Sequence, residues 1–436
     1  MNTIVTKFGG SSLADATQFK KVKNIILSNN DRKLVIPSAP GKRNSKDFKI
    51  TDLLYLCYGH IESGIPLDDV FNLLSTRYKT IVSDLNLDLD IDYYLSEIKN
   101  QIENGASKDY AASRGEYLNG IILANYLDFE FIDAKDVIFF NKYGTLDTES
   151  TYKALKNALK NNNKAVIPGF YGSDVNGNII TFSRGGSDVT GALVAASIDA
   201  DLYENWTDVS GFLMADPRIV KNPMQIQKIT YRELRELSYM GASVLHEESV
   251  FPVRNAGIPI NIKNTNAPED PGTLIVKEMA PDFEHPVKGI AGKKDFTVIS
   301  IEKAMMNSEL GYCRKILSIL EQNNVSFENM PSGIDSVCLV ISDSQLKNKT
   351  EILVDEINRT CSPDSILIYP NMALIATVGT GMSSNKGIAA KLFTSLSDAN
   401  INIRMIDQGS SEMNILIGIE NDDFEKGINA LYNAFA

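Results

Sequence analysis

Short apolar segments and amphipathic ones alternate through the first two hundred residues, and that order leaves few folds open. Residues 3–8 read as a buried strand. Phe19, Val22, Ile25 and Ile26 then share one helical face, with Asp15 placed to cap the helix. Residues 33–40, "KLVIPSAP", form a second strand that ends in a turn. From 51 to about 127 the pattern is mostly helical, with amphipathic stretches such as 92–105. Strands resume at 130–132, 137–140, 164–170 and 200–206, and the clearest helix between them is 189–197. This alternation predicts an α/β fold, a three-layer αβα sandwich around a mostly parallel sheet.

The composition changes at 264–286, which is rich in proline and acidic residues and is expected to hold a domain boundary. Beyond it a pattern repeats. "TVISIE" to "SILIYP" reads as βαββαβ, and "ALIATVG" to "DFEKGINALYNAF" as βαββα. The second copy is one strand short, which would leave an unpaired edge. The strand "VKGIAG", just ahead of the first copy, is expected to fill it, so that the first copy is inserted into the second. The alternative is a plain tandem pair whose last edge a partner covers. The expected division is 1–285, then 296–371, then 286–295 together with 372–436.

A chain of 436 residues suits two or three domains. Its net charge of −12 argues against nucleic-acid or anionic-membrane partners. The 4 cysteines form no C-x-x-C pair, and with only 3 histidines a zinc or other metal cluster is not expected. The N terminus lacks the basic head and apolar core of a signal peptide, and no apolar run is long enough to span a bilayer. A cytoplasmic protein is the expectation.

Three clusters carry chemistry. In "TKFGGSS", Lys7 ends a strand and Gly9 and Gly10 precede a helix, which lets backbone amides approach an anion. A glycine pair after a strand is also an ordinary turn. In "TFSRGGSDVTGALVA", Arg184 stands ahead of two glycines and an apolar helix, and Ser187 and Asp188 also read as its cap. In "NWTDVSGFLMADPR", Thr207, Asp208, Asp216 and Arg218 follow a strand on turn-rich backbone, which also reads as a structured loop.

Together these clusters resemble the aspartate kinases, a branch of the amino-acid kinase family. The signature K-F-G-G-[ST]-S spans Lys7 to Ser12, R-G-G-S-D spans Arg184 to Asp188, and T-D-V-x-G…D-P-R spans Thr207 to Arg218. "PSAP" with "TDLL" and "SRGE" match as well, in order along nearly the whole chain. The paired repeats resemble two α+β, ferredoxin-like ACT modules, and a monofunctional enzyme is expected.

The resemblance implies transfer of the ATP γ-phosphoryl to the β-carboxylate of L-aspartate, the first step toward lysine, threonine and methionine. That nucleophile is ionised at pH 7, so positioning and charge neutralisation should outweigh base catalysis. The motif places Lys7 on the transferring phosphoryl, oriented by Asp188. Gly9, Gly10 and Ser11 would cradle phosphates. Arg184 would hold the α-carboxylate, Glu116 the α-amino group, and Ser38 and Thr51 the β-carboxylate region. Thr207, Asp208, Leu213, Asp216 and Arg218 would form the nucleotide side. Mg²⁺ would travel with ATP, held by phosphates and water, with no tightly bound cofactor. Ser243 stands where many relatives carry lysine, and Leu213 where some carry tyrosine.

An amino-acid effector, lysine foremost, would bind at Met306, Glu309, Gly311, Tyr312 and Cys313, facing Ser326, Phe327, Glu328 and Ser332. ACT modules pair across subunits, so a homodimer or dimer of dimers is implied. The competing readings are a glutamate 5-kinase-like enzyme and a non-catalytic amino-acid sensor.

Overall fold

Five residues buried in succession, Ile4–Phe8, make the first strand, β1. The computed structural model describes residues 2–160, 164–183, 185–242, 245, 250–280 and 282–436. After β1 come α1 (Ala16–Leu27), β2 (Arg32–Pro37) and the helices α2 (Ile50–Glu62), α3 (Asp68–Asp84), α4 (Ile91–Glu103) and α5 (Lys108–Leu127). Then follow β3 (Glu130–Phe131), α6 (Thr148–Leu159), β4 (Ala165–Val166), the hairpin β5 (Tyr171–Ser173) and β6 (Ile179–Thr181), α7 (Gly186–Ser197) and β7 (Leu202–Thr207). The series continues with β8 (Lys228–Thr230), α8 (Tyr231–Tyr239), α9 (Phe251–Ala256), β9 (Ile260–Asn264) and β10 (Thr273–Val276).

The large sheet runs β3-β4-β2-β1-β7-β9-β10-β8. Every pairing in it is parallel except β9 with β10. Because side chains alternate across a strand, its two faces are assigned residue by residue. Phe8, Val35, Val166 and Trp206 join the core built by α1 to α5. Lys7 and Asn205, register partners on β1 and β7, meet α7 on the other face. Helix, sheet and helix form three layers.

Local sequence explains the helices that matter. Asp15 caps α1 by accepting from the Gln18 amide, and the expected apolar stripe is buried. Helix α5 is buried almost all round, and Gly115 lets it close on the loop after β2. A Cβ there would meet that of Ala39 at 2.7 Å.

Residues 137–140 correct a sequence expectation. They are apolar because Val137, Ile138 and Phe140 are buried, yet they only make isolated bridges, Phe139 to Ser173 and Phe140 to Leu146. Burial alone does not distinguish a packed loop from a strand. The segment 264–286, expected to hold a domain boundary, contains β10, and the compact units part between Met279 and Ala280.

Two compact units divide the chain. The second takes Leu213–Met224, Arg235–Ser243 and Ala280–Ala436. The segments at 213–224 and 235–243 are therefore drawn into the second unit although they precede residue 285. In that unit the Ile290 amide donates to the Met214 carbonyl at 2.7 Å, and Asn414 Nδ2 to Glu236 Oε2 at 2.7 Å.

The second unit contains β11 (Gly289–Glu302), α10 (Tyr312–Gln322), β12 (Ser336–Ser342), α11 (Asp343–Leu346), α12 (Thr350–Cys361) and β13 (Ser365–Val378). It ends with α13 (Ile388–Asp398), β14 (Met405–Asp407), β15 (Asn414–Glu420) and α14 (Phe424–Phe435). Its antiparallel sheet runs β12-β11-β13-β15-β14. Four expected strands are here two long ones. Residues 289–293 of β11 lie opposite 374–378 of β13, and residues 296–302 opposite 365–372. Asp295 and Asn371, both at positive φ, take up the irregularity between the halves. The second strand of the expected βαββαβ copy, "VSFENMP" at 325–331, reduces to a single bridge, Asn329 to Val340, with Ser332 to Val337 just beyond it. Pro331, which has no amide hydrogen, and Gly333 suit a ladder poorly.

Candidate active site

Lys7 is 8% exposed, and its Nζ lies 2.6 Å from Asp188 Oδ1. The same oxygen accepts from Asn205 Nδ2 at 2.8 Å. The arrangement follows from register: Lys7 and Asn205 stand side by side on parallel strands, and Asp188 lies in the first turn of α7 above them. Tyr203, two residues back on the same face, donates its hydroxyl to the Asp188 carbonyl at 3.3 Å. A lysine ammonium, held at the carboxyl end of a parallel sheet by a carboxylate that an amide anchors, is a fixed point charge.

The chain then turns through Gly9 and Gly10. The Gly9 amide donates to the Trp206 carbonyl, and the Gly10 carbonyl accepts from the Gly41 amide at 2.8 Å. Only the second glycine is sterically required. A Cβ at Gly10 would stand 2.8 Å from the Ala39 carbonyl oxygen, whereas one at Gly9 would make ordinary contacts, among them Lys7 Nζ at 3.8 Å. Ser11 follows, and the Ser12 and Thr265 hydroxyls share a buried hydrogen bond at 2.7 Å.

The loop after β2 meets this turn. The Ser38 amide donates to the Phe8 carbonyl at 3.0 Å, and Asn119 Nδ2 on α5 donates to the Ser38 carbonyl at 2.7 Å. Thr51 lies in the first turn of α2. Glu116 on α5 is 5% exposed, and its Oε2 is buried without a hydrogen-bond partner. Burial pushes its carboxyl up to about 8; hydrogen bonds from the Ala39 and Glu116 amides and the charges of Arg114 and Lys7 offset only part of that. A buried carboxylate oxygen with nothing to accept from suits a ligand cation. Uptake of an ammonium there requires ionised Glu116. Affinity for a ligand ammonium at that oxygen should therefore rise about tenfold per pH unit up to the carboxyl's pKa and level off above it. Calorimetric titration across that range checks this, and a flat profile would rule it out.

Thr207 ends β7, and its hydroxyl donates to Asp208 Oδ1 at 3.2 Å. Leu213, Asp216 and Arg218 belong to the second unit. There Asp216 and Arg218 pair at 2.6 Å, with Arg218 largely exposed, and Leu213 is also partly exposed. Arg184 and Ser243 lie outside the described residues. Among the described residues no three His, Cys, Asp or Glu side chains gather to hold a metal ion.

Within the second unit, Met306 opens a short 3₁₀ turn and Gly311 caps α10 at a φ of 79°. Glu309 is paired with Lys315 at 2.6 Å and Lys303 at 3.1 Å, which lowers its pKa. Tyr312 is buried, with its hydroxyl unpartnered, and Cys313 is half-buried beside it. Ser326 is exposed, Phe327 partly so, and Ser332 bridges Val337. Glu328 accepts the hydroxyl of Tyr239 from α8, a bond that pushes the phenol up to about 12.

Sequence reasoning missed Asn205, Asn119 and Tyr239. The first was legible as the β7 residue facing the same way as Tyr203. Asn119 was legible as the residue one helical turn after Glu116. Nothing local marks Tyr239.

Residues 2–264 match the model of the amino acid kinase family, and residues 375–435 match a model of the ACT domain. Aspartokinase 3 of Bacillus subtilis is 37% identical over 446 residues, covering 99% of this chain and 98% of that protein. The crystal structure of Clostridium acetobutylicum aspartate kinase superposes with a TM-score of 0.95 at 66% identity, covering 99% of this chain and 100% of that one. Aspartokinase III of E. coli, solved with aspartate and ADP, gives a TM-score of 0.72 at 25% identity, covering 99% of each chain. Its complex with lysine and aspartate, described as the T-state, gives 0.74 at 25% identity and the same coverage.

Proposed function

Since this chain belongs to the aspartate kinases of the amino acid kinase family, with ATP-dependent phosphorylation of aspartate as its activity, we propose that the surroundings of Lys7 carry the transfer to the β-carboxylate. The observation that carries the reading is the Lys7–Asp188–Asn205 constellation beside a glycine turn. Lys7 holds the transferring phosphoryl, and Asp188 fixes Lys7. Gly9, Gly10 and Ser11 present amides to the phosphates. Glu116 takes the α-ammonium of aspartate, Ser38 and Thr51 line its β-carboxylate, and Arg184 takes its α-carboxylate. Thr207, Asp208, Leu213, Asp216 and Arg218 serve the nucleotide. Mg²⁺ arrives on ATP and neutralises its phosphates.

The acceptor is an ionised carboxylate, so the barrier lies in bringing two anions together. Fixed cations and amides lower it without reorganising. The product is an acyl phosphate that hydroxylamine traps as a hydroxamate. With ATP, Mg²⁺ and L-aspartate the hydroxamate should accumulate. Accumulation with L-glutamate in place of aspartate, or none with either, would reject the assignment.

Residues 296–371 form one ACT module, and 286–295 with 372–436 a second; the pairing of 289–293 with 374–378 supports this division. The enzyme works in the cytoplasm as a homodimer or dimer of dimers, at the head of the routes to lysine, threonine and methionine. Lysine binds in the turn from Met306 to Cys313, facing Ser326, Phe327, Glu328 and Ser332, and shifts the population toward a less active arrangement. The lysine complex of the E. coli relative supports that choice. Saturating lysine should inhibit turnover; activity untouched by lysine and by threonine, alone and together, would reject the sensing role.

A further inference from the structure

Helix α3 carries none of the residues assigned to substrates, yet Arg77 on it reaches toward them. Arg77 is 5% exposed. Its Nη1 donates to the Gly41 carbonyl at 3.0 Å and the Ala14 carbonyl at 3.4 Å. Its Nη2 donates to Asp47 Oδ2 at 2.6 Å and the Phe48 carbonyl at 3.3 Å. Asp47 is held in turn by Arg43, through Nε at 2.9 Å and the backbone amide at 2.9 Å.

Those acceptors sit where the site is assembled. Ala14 ends the turn that begins with Gly10 and Ser11. Gly41 is the residue whose amide bonds Gly10, and it packs so closely that a Cβ would stand 2.6 Å from the Gly10 carbonyl carbon. Phe48 lies three residues before Thr51, and Ser38 three before Gly41. A single guanidinium therefore ties the segments bearing Ser11, Ser38 and Thr51. Holding three backbone segments requires several donors in a rigid fork, which lysine lacks. Stability alone accounts poorly for such a group, because buried ion pairs are often replaceable by apolar side chains.

We propose that Arg77 is a positioning residue for phosphoryl transfer: it sets the spacing between the phosphate turn and the aspartate loop. The inference rests on the reading of Ser11, Ser38 and Thr51 as substrate contacts. Misplacing reacting groups by an ångström costs about a hundredfold, so kcat/KM for aspartate should fall by about that factor in Arg77→Met and Arg77→Lys.

The test uses the full chain, with kcat and both KM values measured alongside a thermal melt. Arg77→Ala should recover part of its activity when guanidinium ion is added below denaturing concentrations, while the parent protein gains nothing. Kinetic constants within about twofold of the parent in Arg77→Lys would overturn the proposal. A loss that guanidinium does not restore at any tolerated concentration would assign it to packing and also overturn it. If Arg77→Met fails to fold, Arg77→Lys and the rescue of Arg77→Ala decide. Lys7→Ala run in parallel separates the two readings. Full turnover there with loss in Arg77→Met breaks the assignment of Lys7 alone; loss there with normal Arg77 variants sinks the brace alone.

Discussion

Lys7→Ala should lower turnover by roughly 10²–10³-fold, the usual consequence of removing one preorganised group that stabilises developing charge. The ammonium is nearly buried and pinned by Asp188, so it needs no reorganisation when a phosphoryl group arrives. Removal also leaves Asp188 with Asn205 and without its cation, which costs stability. A second variant separates the effects. Lys7→Met combined with Asp188→Asn removes both charges, so the melting temperature should recover while turnover does not. Near-normal turnover in either folded variant would remove Lys7 from the reaction.

Glu116→Gln should raise the aspartate KM by about a hundredfold, because truncating one partner of a buried charge pair costs on the order of 3 kcal/mol. The substrate-free protein should respond in the opposite direction. A carboxyl raised to about 8 in the folded protein binds its proton more tightly than in the unfolded chain. Its contribution to stability is therefore fully present below the ordinary carboxylate pKa and is lost as pH rises toward 8. Glutamine carries no such dependence. The melting temperature of Glu116→Gln relative to the parent should grow between about pH 5 and 8 and then hold steady. An unchanged KM would end the assignment of Glu116 to the ammonium, and an unchanged pH dependence of melting would show that its carboxyl is not held neutral.

Both variants act at positions the sequence had already marked, and the reason is local. The signature at Lys7–Ser12 encodes a strand and a turn within neighbours in the chain, together with the glycine that later admits the Ala39 carbonyl from the loop after β2. The same holds for Asp15 as a cap and for α7 opening behind a glycine at a φ of 56°. Where the sequence misled, a local pattern had two solutions. Residues 137–140 satisfy the apolar run of a strand as packed loop. The apolar segments at 287–302 and 365–379 look like four strands because a charged or polar stretch interrupts each. In the fold the interruptions are irregularities in two continuous strands, borne by Asp295 and Asn371.

Taken alone, the amino-acid sequence determined the alternation of strands and helices that makes an α/β fold, the glycines that backbone approach requires, and the residue types able to meet a carboxylate and a triphosphate. Tertiary structure decided which of them meet. The register of β1 against β7 sets Lys7 beside Asn205 under Asp188, helix α3 brings Arg77 to Gly41, and α8 brings Tyr239 to Glu328. Helical and strand periodicity is written in residues a few places apart, whereas pairings across the chain depend on register and packing, which no short stretch of sequence contains.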